Sequence, residues 1–347
     1  MAKEDNQNRT ELAALGEFGL IDRIAEKFST FKHQETALGI GDDAALMDCG
    51  DFYQVVSTDM LVEMIHFDLS YMPLQHLGFK AVAVNISDIA AMNAIPKQIT
   101  VSIALSNRFS VEALDAFYDG VHKACEVFGV DLVGGDTTAS NHGLVISITA
   151  IGTVDKDKVV KRSGAKSGDI VCATGDLGAA YIGLQVLVRE KQEFQANPQM
   201  QPKLEGYDYV VGRQLKPMAR MDVIHELGKV GVVPTAMMDI SDGLASELLH
   251  ICRHSKVGVN IFEDKLPIDE VAYENAVEFQ LDPVTAAMNG GEDYELLFTI
   301  KQDDYEKIKN LPDIHTIGYI QAEEKGKNLV TKQGNVYPLQ AQGFTHM

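Results

Sequence analysis

Acidic side chains recur in this sequence beside glycine, hydroxyl and amide groups. Such segments offer hard carboxylate oxygens, the ligands that Mg²⁺ prefers, and none adds the imidazole or thiolate that a softer metal selects. Magnesium usually binds one or two carboxylates while it contacts substrate phosphates, so this many carboxylates predict several ions and a polyphosphate substrate. The segments are Gly39-Ile40-Gly41-Asp42-Asp43, Ser57-Thr58-Asp59, Asn85-Ile86-Ser87-Asp88, Gly134-Gly135-Asp136-Thr137-Thr138 and Asp239-Ile240-Ser241-Asp242-Gly243.

One of these segments permits a geometric argument. Asn85 and Asp88 are three residues apart, which places both on one face of a helix, within reach of a common ion or phosphate. Nearby residues such as Ala81, Val84 and Ile89 are apolar, and an unpaired Asp88 would be costly to bury among them. The alternative is a polar turn of a surface helix. Taken singly, each acidic segment is also typical of an ordinary turn.

Two further segments offer groups for a substrate. Arg162 would bring a guanidinium from one domain to a phosphate bound by the other, or is a solvated loop arginine. Glu292, in Gly290-Gly291-Glu292-Asp293-Tyr294-Glu295, would face a substrate at the start of a strand, or belongs to an acidic turn. Standard nucleotide motifs are missing: Gly164-Ala165-Lys166-Ser167 lacks the glycine that a P-loop needs before its lysine. Protein-kinase and dinucleotide-binding signatures are missing as well.

The composition excludes several classes of protein. With 30 Lys and Arg against 50 Asp and Glu, the 347 residues carry a formal charge of −20, which argues against nucleic-acid binding because a phosphate backbone needs a basic surface. No apolar run approaches the roughly 18 residues that span a bilayer, and the polar N-terminus lacks a signal-peptide core. The 4 cysteines show no Cys-x-x-Cys spacing. We therefore expect a cytoplasmic protein without nucleic-acid or membrane partners.

Alternating helices and strands must position the acidic segments in the first half. Apolar spacing predicts helices, and β-branched or alternating residues predict strands. Ser110 is expected to cap a helix that ends at Gly129, and Gly134–Thr138 is expected to form a loop. The predicted elements are a helix at 12–28, a strand at 53–58 with Asp59 at its end, a helix at 73–96, a strand at 99–106, a helix at 110–129, and strands at 130–133 and 144–154.

A charged stretch at 155–161 is the expected domain boundary. The same mixture of elements returns beyond it, so the fold class is mixed α/β in two halves. The predicted elements are a strand at 170–173, a helix at 177–189, a surface excursion at 192–204, helices at 214–227 and 242–254, and strands at 258–262 and 295–300, before a short helix and strands.

The order of the motifs identifies a family resemblance. They are GIGDD, STD followed by His66-Phe67, AVNISDIAAM, GGDTT, RSGAKSGD, DISDGL and GGEDYELLF. The chain resembles the thiamine-monophosphate kinase family, of the aminoimidazole ribonucleotide synthetase and selenophosphate synthetase superfamily. The resemblance implies a two-domain α/β fold of the aminoimidazole ribonucleotide synthetase type. Residues 1–155 would form the ATP/Mg-binding and dimerisation domain, whose sheet pairs into a barrel across a homodimer, and residues 156–347 would complete the site.

The resemblance also implies an activity and residue roles. Members transfer the γ-phosphoryl group of ATP directly to thiamine monophosphate, with ATP as co-substrate and several Mg²⁺ ions. No general base is nominated, because the second pKa of a phosphate monoester is about 6. The implied magnesium ligands are Asp43, Ser57, Thr58, Asp59, Asp88, Asp136, Asp239 and Asp242. The implied ATP contacts are Gly135, Asp136, Ser241 and Arg162, the last as a charge stabiliser, and the implied thiamine monophosphate contacts are His66, Glu292 and Phe344.

Three positions depart from the family pattern. Met64 and Asn93 stand where relatives commonly have glycine, and Phe344 stands where Trp or Tyr is frequent. The phenyl ring keeps a stacking face but removes a hydrogen-bond donor.

Two other functions stay open. The first is another ATP-dependent member of the superfamily, either ring-closing or selenide-activating. Selenide-activating relatives typically carry a reactive Cys or selenocysteine near the N-terminus, and residues 1–16 contain no Cys. The second is a non-catalytic dimer that binds Mg-nucleotide, against which the presence of every acidic motif argues.

Overall fold

A six-stranded sheet organises the first half of the protein. The structure, a computed structural model, describes residues 15–342, apart from the side chains of Glu17 and Phe18. The strand order is β1-β2-β3-β6-β4-β5, with β4 and β5 parallel and the other neighbours antiparallel. The elements are α1 (Gly16–Lys27), β1 (Thr36–Leu38), β2 (Ala45–Asp48), β3 (Phe52–Val62), α2 (Leu74–Ala91), β4 (Ile95–Leu105), α3 (Val111–Phe128), β5 (Asp131–Ala139) and β6 (Val145–Asp155).

One face of this sheet is covered by α2. Along β6, buried and half-buried side chains alternate, because successive residues of a strand point to opposite faces. Helix α2 is apolar nearly all round and buried along most of its length, as expected for a helix between two layers. It packs closely on α3, since a Cβ on Gly78 would lie 2.0 Å from the carbonyl oxygen of Phe117, and one on Gly120 would lie 1.9 Å from that of Gln75.

A seven-stranded sheet organises the second half. Its strand order is β13-β12-β9-β11-β7-β10-β8, and only β9 and β12 are parallel among these neighbours. Edge strand β8 contacts α2 of the first half. The elements are β7 (Ile170–Thr174), α4 (Ala179–Ala196), α5 (Asp208–Leu215), α6 (Met221–Val230), β8 (Ala236–Asp239), α7 (Leu244–Ser255), β9 (Gly258–Phe262), α8 (Glu270–Glu278), α9 (Pro283–Asn289), β10 (Leu296–Ile300), α10 (Tyr305–Ile308), β11 (Ile314–Gln321), β12 (Lys327–Val330) and β13 (Val336–Pro338).

The mixed α/β fold class is confirmed, as are both ends of α3. Ser110 caps this helix by accepting a hydrogen bond from the backbone N of Ala113 at 3.3 Å, and Gly129 ends it with φ 65°. None of the helices within the described residues is long and apolar enough to cross a membrane.

Two predictions about the first half are wrong. The helix predicted to continue to Pro96 ends at Ala91, and Pro96 lies inside β4 opposite Gly152. The turn between them is made by Asn93 with φ 56°, a conformation that asparagine tolerates better than most residues. The predicted loop at Gly134–Thr138 is instead part of β5, because parallel pairing with β4 continues through it.

Other predicted boundaries of helices and strands also differ from those in the structure. Asp59 lies inside β3, since pairing with β6 continues to Val62. The helix predicted at 214–227 is divided into α5 and α6 by a segment that contains Pro217, a residue that cannot donate the helical hydrogen bond. The start of the predicted surface excursion at 192–204 belongs to α4, which runs to Ala196. Helix α1 begins at Gly16, and the predicted residues before 15 lie outside the described part.

Candidate active site

Three aspartates converge where the two halves of the chain meet. Asp43 lies between β1 and β2, Asp88 on α2, and Asp239 at the end of β8. One carboxylate oxygen from each lies within 4.8 Å of the others. Asp43 and Asp239 are buried and Asp88 is partly buried. Residues far apart in sequence thus form one carboxylate cluster, which we call the Asp43-Asp88-Asp239 cluster.

Hydroxyl groups fix the orientation of this cluster. The Oγ of Ser57 lies 2.5 Å from Asp88 Oδ2 and 3.1 Å from the backbone oxygen of Asp43. The Oγ of Ser87 donates to Asp239 Oδ2 at 2.6 Å. The contact with Asp88 on α2 places Ser57 on the helix-covered face of the sheet, and the adjacent Thr58 therefore faces the other side. The sequence motifs therefore supply both the carboxylates and the donors that orient them.

Arg162 is the cation closest to this cluster among the contacts described. Its Nη2 and Nε donate to Asp43 Oδ1 at 2.7 and 3.2 Å. Its backbone N donates to Asp42 Oδ1 at 3.0 Å. Asp43 Oδ2 is buried and has no hydrogen-bond partner within the described part of the chain. One guanidinium does not balance three carboxylates, and an orphaned oxygen of a buried carboxylate fits a divalent cation.

Burial and mutual repulsion raise the pKa values of Asp88, Asp239 and the neighbouring Asp59. Burial, with the nearby Asp59, Asp239 and Asp43 carboxylates, raises the pKa of Asp88 well above its ordinary value. Burial and Asp43 raise the pKa of Asp239 to about 7, although the hydrogen bond from Ser87 opposes this. Burial and Asp242 raise the pKa of Asp59 to about 6. The cluster is therefore a site where positive charge is needed at neutral pH.

These shifts predict how stability depends on pH. Asp239 has a folded-state pKa of about 7 against an ordinary 3.8, so its stabilising contribution is present below about pH 4 and is lost as the pH rises towards 7. Without metal, wild type should lose stability relative to Asp239→Asn between those pH values, by on the order of a few kcal/mol. Urea unfolding in a chelator at several pH values measures this difference. Parallel pH profiles for the two proteins would contradict it.

Asp59 and Asn85 lie beside the cluster. The pKa of Asp59 responds to Asp242, and those of Asp88 and Asp239 respond to Asp59, so these carboxylates share one electrostatic environment. The backbone N of Asp59 donates to Asn85 Oδ1 at 2.9 Å, and Asn85 Nδ2 donates to the backbone oxygen of Ala81 at 2.9 Å. Both ends of the Asn85 amide are thus hydrogen-bonded to the backbone in this arrangement.

Thr58 and Asp136 lie apart from the cluster. Both are exposed and occupy the opposite face of the sheet from Ser57 and Asp59. The pairing Thr58–Thr149–Thr100–Gly134 puts three strand spacings, roughly 14 Å at about 4.8 Å per strand, between Thr58 and Gly134. Asp136 lies two residues beyond Gly134 on β5. A single copy of the sheet therefore does not bring these two expected ligands together. Beside Asp136, a Cβ on Gly135 would lie 1.7 Å from the backbone oxygen of Val101.

The segment around Glu292 lies against the loop that contains Ser241. The backbone N of Glu292 donates to the backbone oxygen of Ser241 at 2.6 Å. Glu292 has φ 59° and Tyr294 has φ 52°, a costly conformation for residues other than glycine that is concentrated at functional sites. Glu247 accepts hydrogen bonds from the backbone N of Ser241 and Asp242 at 3.3 and 2.9 Å. The predicted ATP contact Ser241 and the predicted substrate contact Glu292 are thus joined by a backbone hydrogen bond.

Three residues of the site were not predicted from the sequence: Lys80, Gln214 and Glu247. Lys80 Nζ lies 3.0 Å from Glu292 Oε2, and Gln214 Nε2 donates to the same oxygen at 2.5 Å. A lysine inside an otherwise apolar helix was the available signal for the first contact. Gln214 and Glu247 carried no comparable signal.

The remaining predicted substrate contacts are His66 and Phe344. His66 Nδ1 accepts a hydrogen bond from the backbone N of Val62 at 3.0 Å, which fixes the ring beside the end of β3. The preceding Met64 has φ 67°, so the glycine common here in relatives suits the conformation. Phe344 lies outside the described residues.

Comparison with known proteins extends over nearly the whole chain. The models for the AIR synthase related protein N-terminal and C-terminal domains match residues 41–154 and 166–329. The thiamine-monophosphate kinase of Bacillus subtilis (strain 168) is 36% identical over 341 residues, covering 96% of this chain and 99% of that protein. The chain belongs to the thiamine-monophosphate kinase family. The thiamine-monophosphate kinase of Aquifex aeolicus (strain VF5) is 33% identical over 336 residues, covering 96% and 99%.

A solved structure of the thiamine-monophosphate kinase family supports the same assignment. It is described as AaThiL complexed with AMPPCP and TMP. It matches with a TM-score of 0.83 and 31% identity, covering 98% of this chain and 100% of that one. The two-domain fold expected from the sequence is therefore confirmed.

Proposed function

We propose that this chain transfers the γ-phosphoryl group of ATP to the phosphate of thiamine monophosphate, forming thiamine diphosphate and ADP. The Asp43-Asp88-Asp239 cluster is the observation that carries the proposal, because a site that brings two anions together needs a place for positive charge. Full-length similarity to thiamine-monophosphate kinases supplies the acceptor. The relative described with AMPPCP and TMP supports ATP as the donor.

Several residues of this chain are suited to hold Mg²⁺. Asp43, Asp88 and Asp239 offer oxygens within 4.8 Å of one another, and Asp59 and Asp242 lie in the same electrostatic environment. Bound Mg²⁺ supplies charge neutralisation at phosphoryl oxygens and alignment of the reacting groups. We propose Ser57 as a ligand or as the donor that orients Asp88. Thr58 and Asp136 stay proposed ligands on the other sheet face.

The chain's own groups position the reactants. Ser57 and Ser87 hold the carboxylates in place before substrate arrives, which lowers the cost of organising the site. Arg162 adds fixed positive charge beside Asp43 and is proposed to stabilise the transferred group. We propose Gly135 and Ser241 as further ATP contacts and His66, Glu292 and Phe344 as acceptor contacts. No side chain removes a proton, because the acceptor phosphate is already largely ionised near neutral pH.

Phosphorus NMR of the protein with ATP, Mg²⁺ and thiamine monophosphate tests the proposal. We expect the thiamine monophosphate signal to be replaced by the two coupled signals of thiamine diphosphate, in step with ADP. A sample with thiamine instead of its monophosphate is the matched control and should form no thiamine phosphate. ATP binding without ADP formation would instead support a non-catalytic nucleotide-binding dimer. ATP consumption only with an aminoimidazole precursor or selenide would support another member of the superfamily.

We also propose that the protein is a homodimer assembled through β5. All nine residues of this edge strand are exposed, including Leu132 and Val133 at 44% and 58%. An exposed edge strand presents unpaired backbone groups that favour pairing with another chain, and the expected barrel across a dimer would cover β5. The cytoplasmic location and the lack of nucleic-acid and membrane partners stay predictions.

Charge placed on β5 should separate the dimer. We expect Val133→Asp to sediment as a single chain where wild type sediments at twice that mass, because a carboxylate would be desolvated in the interface. Analytical ultracentrifugation measures the two masses. Val127→Asp, at an exposed position on α3, is the control and should stay dimeric. If Val133→Asp sediments with the mass of wild type, β5 does not form the interface.

A further inference from the structure

Lys80 is a buried lysine that joins the two halves of the protein. Its residue exposure is 1%, which is rare for an ammonium group unless it is paired. Its Nζ donates to Glu292 Oε2 at 3.0 Å and to the backbone oxygen of Gln214 at 3.2 Å. Lys80 belongs to α2 of the first half, whereas Gln214 and Glu292 belong to the second half. One ammonium group therefore fixes α5 and the Glu292 segment relative to α2.

Glu292 is held through one carboxylate oxygen. Oε2 accepts hydrogen bonds from Lys80 Nζ and from Gln214 Nε2. Within the described part of the chain, no residue donates a hydrogen bond to Oε1. The side chain is 28% exposed, so Glu292 is still accessible. Its backbone N is fixed to Ser241. This arrangement leaves one oxygen of a fixed carboxylate for a ligand.

We propose that Lys80 is a positioning residue for the acceptor substrate, acting through Glu292. This inference rests on the proposed function, in which Glu292 contacts thiamine monophosphate. The thiazolium ring of thiamine is a permanent cation and its pyrimidine carries an amino group, so a fixed carboxylate is complementary to it. Lys80 keeps that carboxylate in place by binding Oε2 and leaves Oε1 to the substrate.

The position of Lys80 on α2 adds a second consequence. Asp88 of the Asp43-Asp88-Asp239 cluster lies on the same helix, eight residues further on, about 12 Å along the axis at about 1.5 Å per residue. Helix α2 therefore sets the separation between the site for phosphoryl groups and the carboxylate for the thiamine ring.

Steady-state kinetics with Lys80→Met test the inference. We expect the KM for thiamine monophosphate to rise about tenfold, equivalent to about 1.4 kcal/mol, while the KM for ATP changes by less than about twofold. Lys216→Met is the matched control, since Lys216 lies on the same seam, 4.7 Å from the Phe79 ring, without contacting Glu292. It should leave both KM values within about twofold of wild type.

A double variant separates positioning from a general structural role. In a Glu292→Gln background, Lys80→Met should add less than about twofold to the KM for thiamine monophosphate, because the ammonium acts through the carboxylate. This double variant has no unpaired charge and serves as the folded reference if Lys80→Met alone unfolds. The inference would be overturned if the effects of the two substitutions on the KM for thiamine monophosphate multiplied. An equal rise in the KM for ATP would overturn it as well.

A crystal structure of Lys80→Met gives a result that does not depend on the substrate. Glu292 should leave its present position once its ammonium partner is removed. If Glu292 stays in place, the positioning role is wrong whatever the enzyme phosphorylates. If wild type fails to phosphorylate thiamine monophosphate, the proposed function fails separately.

Discussion

Replacing Asp88 with asparagine is expected to lower turnover at least about a hundredfold and to raise the stability of the metal-free protein. The Asp88 carboxylate lies among Asp59, Asp239 and Asp43, which with burial raise its pKa well above the ordinary value. Removing one of these negative charges relieves repulsion when no cation is bound. The same change removes an oxygen anion from the proposed Mg²⁺ site, so activity and stability should move in opposite directions.

Two measurements together test this prediction. Turnover is measured at saturating ATP and thiamine monophosphate, and thermal unfolding is followed in a chelator and then with Mg²⁺. Wild type should gain more stability from Mg²⁺ than Asp88→Asn does, because binding to the folded state stabilises it. Asp115→Asn, at an exposed position on α3, is the control and should match wild type. A variant with normal turnover at limiting Mg²⁺ would show that Asp88 is not a ligand.

The acidic motifs were predictable from the sequence, because ligand chemistry is a property of residue type. Clustering of Asp43, Asp88 and Asp239 followed from the argument that several carboxylates imply shared ions. Their geometry did not follow, since it depends on β8 packing against α2 across the two halves. The strand predicted at 53–58 already placed Ser57 and Thr58 on opposite faces, but the sequence could not show which face α2 covers.

The errors in the fold have a common physical origin. Glycines in GGDTT indicated a loop by local preference, but parallel pairing with β4 extends β5 through them. At Gly135 the missing side chain serves close strand approach, since a Cβ would lie 1.7 Å from the backbone oxygen of Val101. Lys80 was overlooked for the related reason that its partner, Glu292, is distant in sequence. Tertiary contacts decided each case, and local propensity did not.

Arg162→Met is expected to lower turnover about a hundredfold or more and, unlike Asp88→Asn, to destabilise the metal-free protein. Arg162 donates twice to Asp43 Oδ1, and its side chain is 20% exposed while that of Asp43 is 1% exposed. Removing the cation leaves a buried carboxylate without its partner, which typically costs about 3 kcal/mol. The two variants change the charge of the same cluster in opposite directions, so their stabilities should shift oppositely while both lose activity.

This opposition distinguishes charge balance from simple damage to the site. Urea unfolding in a chelator should place Asp88→Asn above wild type and Arg162→Met below it. Added Mg²⁺ should recover more stability in Arg162→Met than in Arg253→Met, a control whose arginine pairs with Asp22 on the exposed surface at 2.7 Å. If both cluster variants were destabilised equally, packing would explain their loss of activity. Opposite shifts require the carboxylates and Arg162 to form one electrostatic unit, which is the property that phosphoryl transfer between two anions needs.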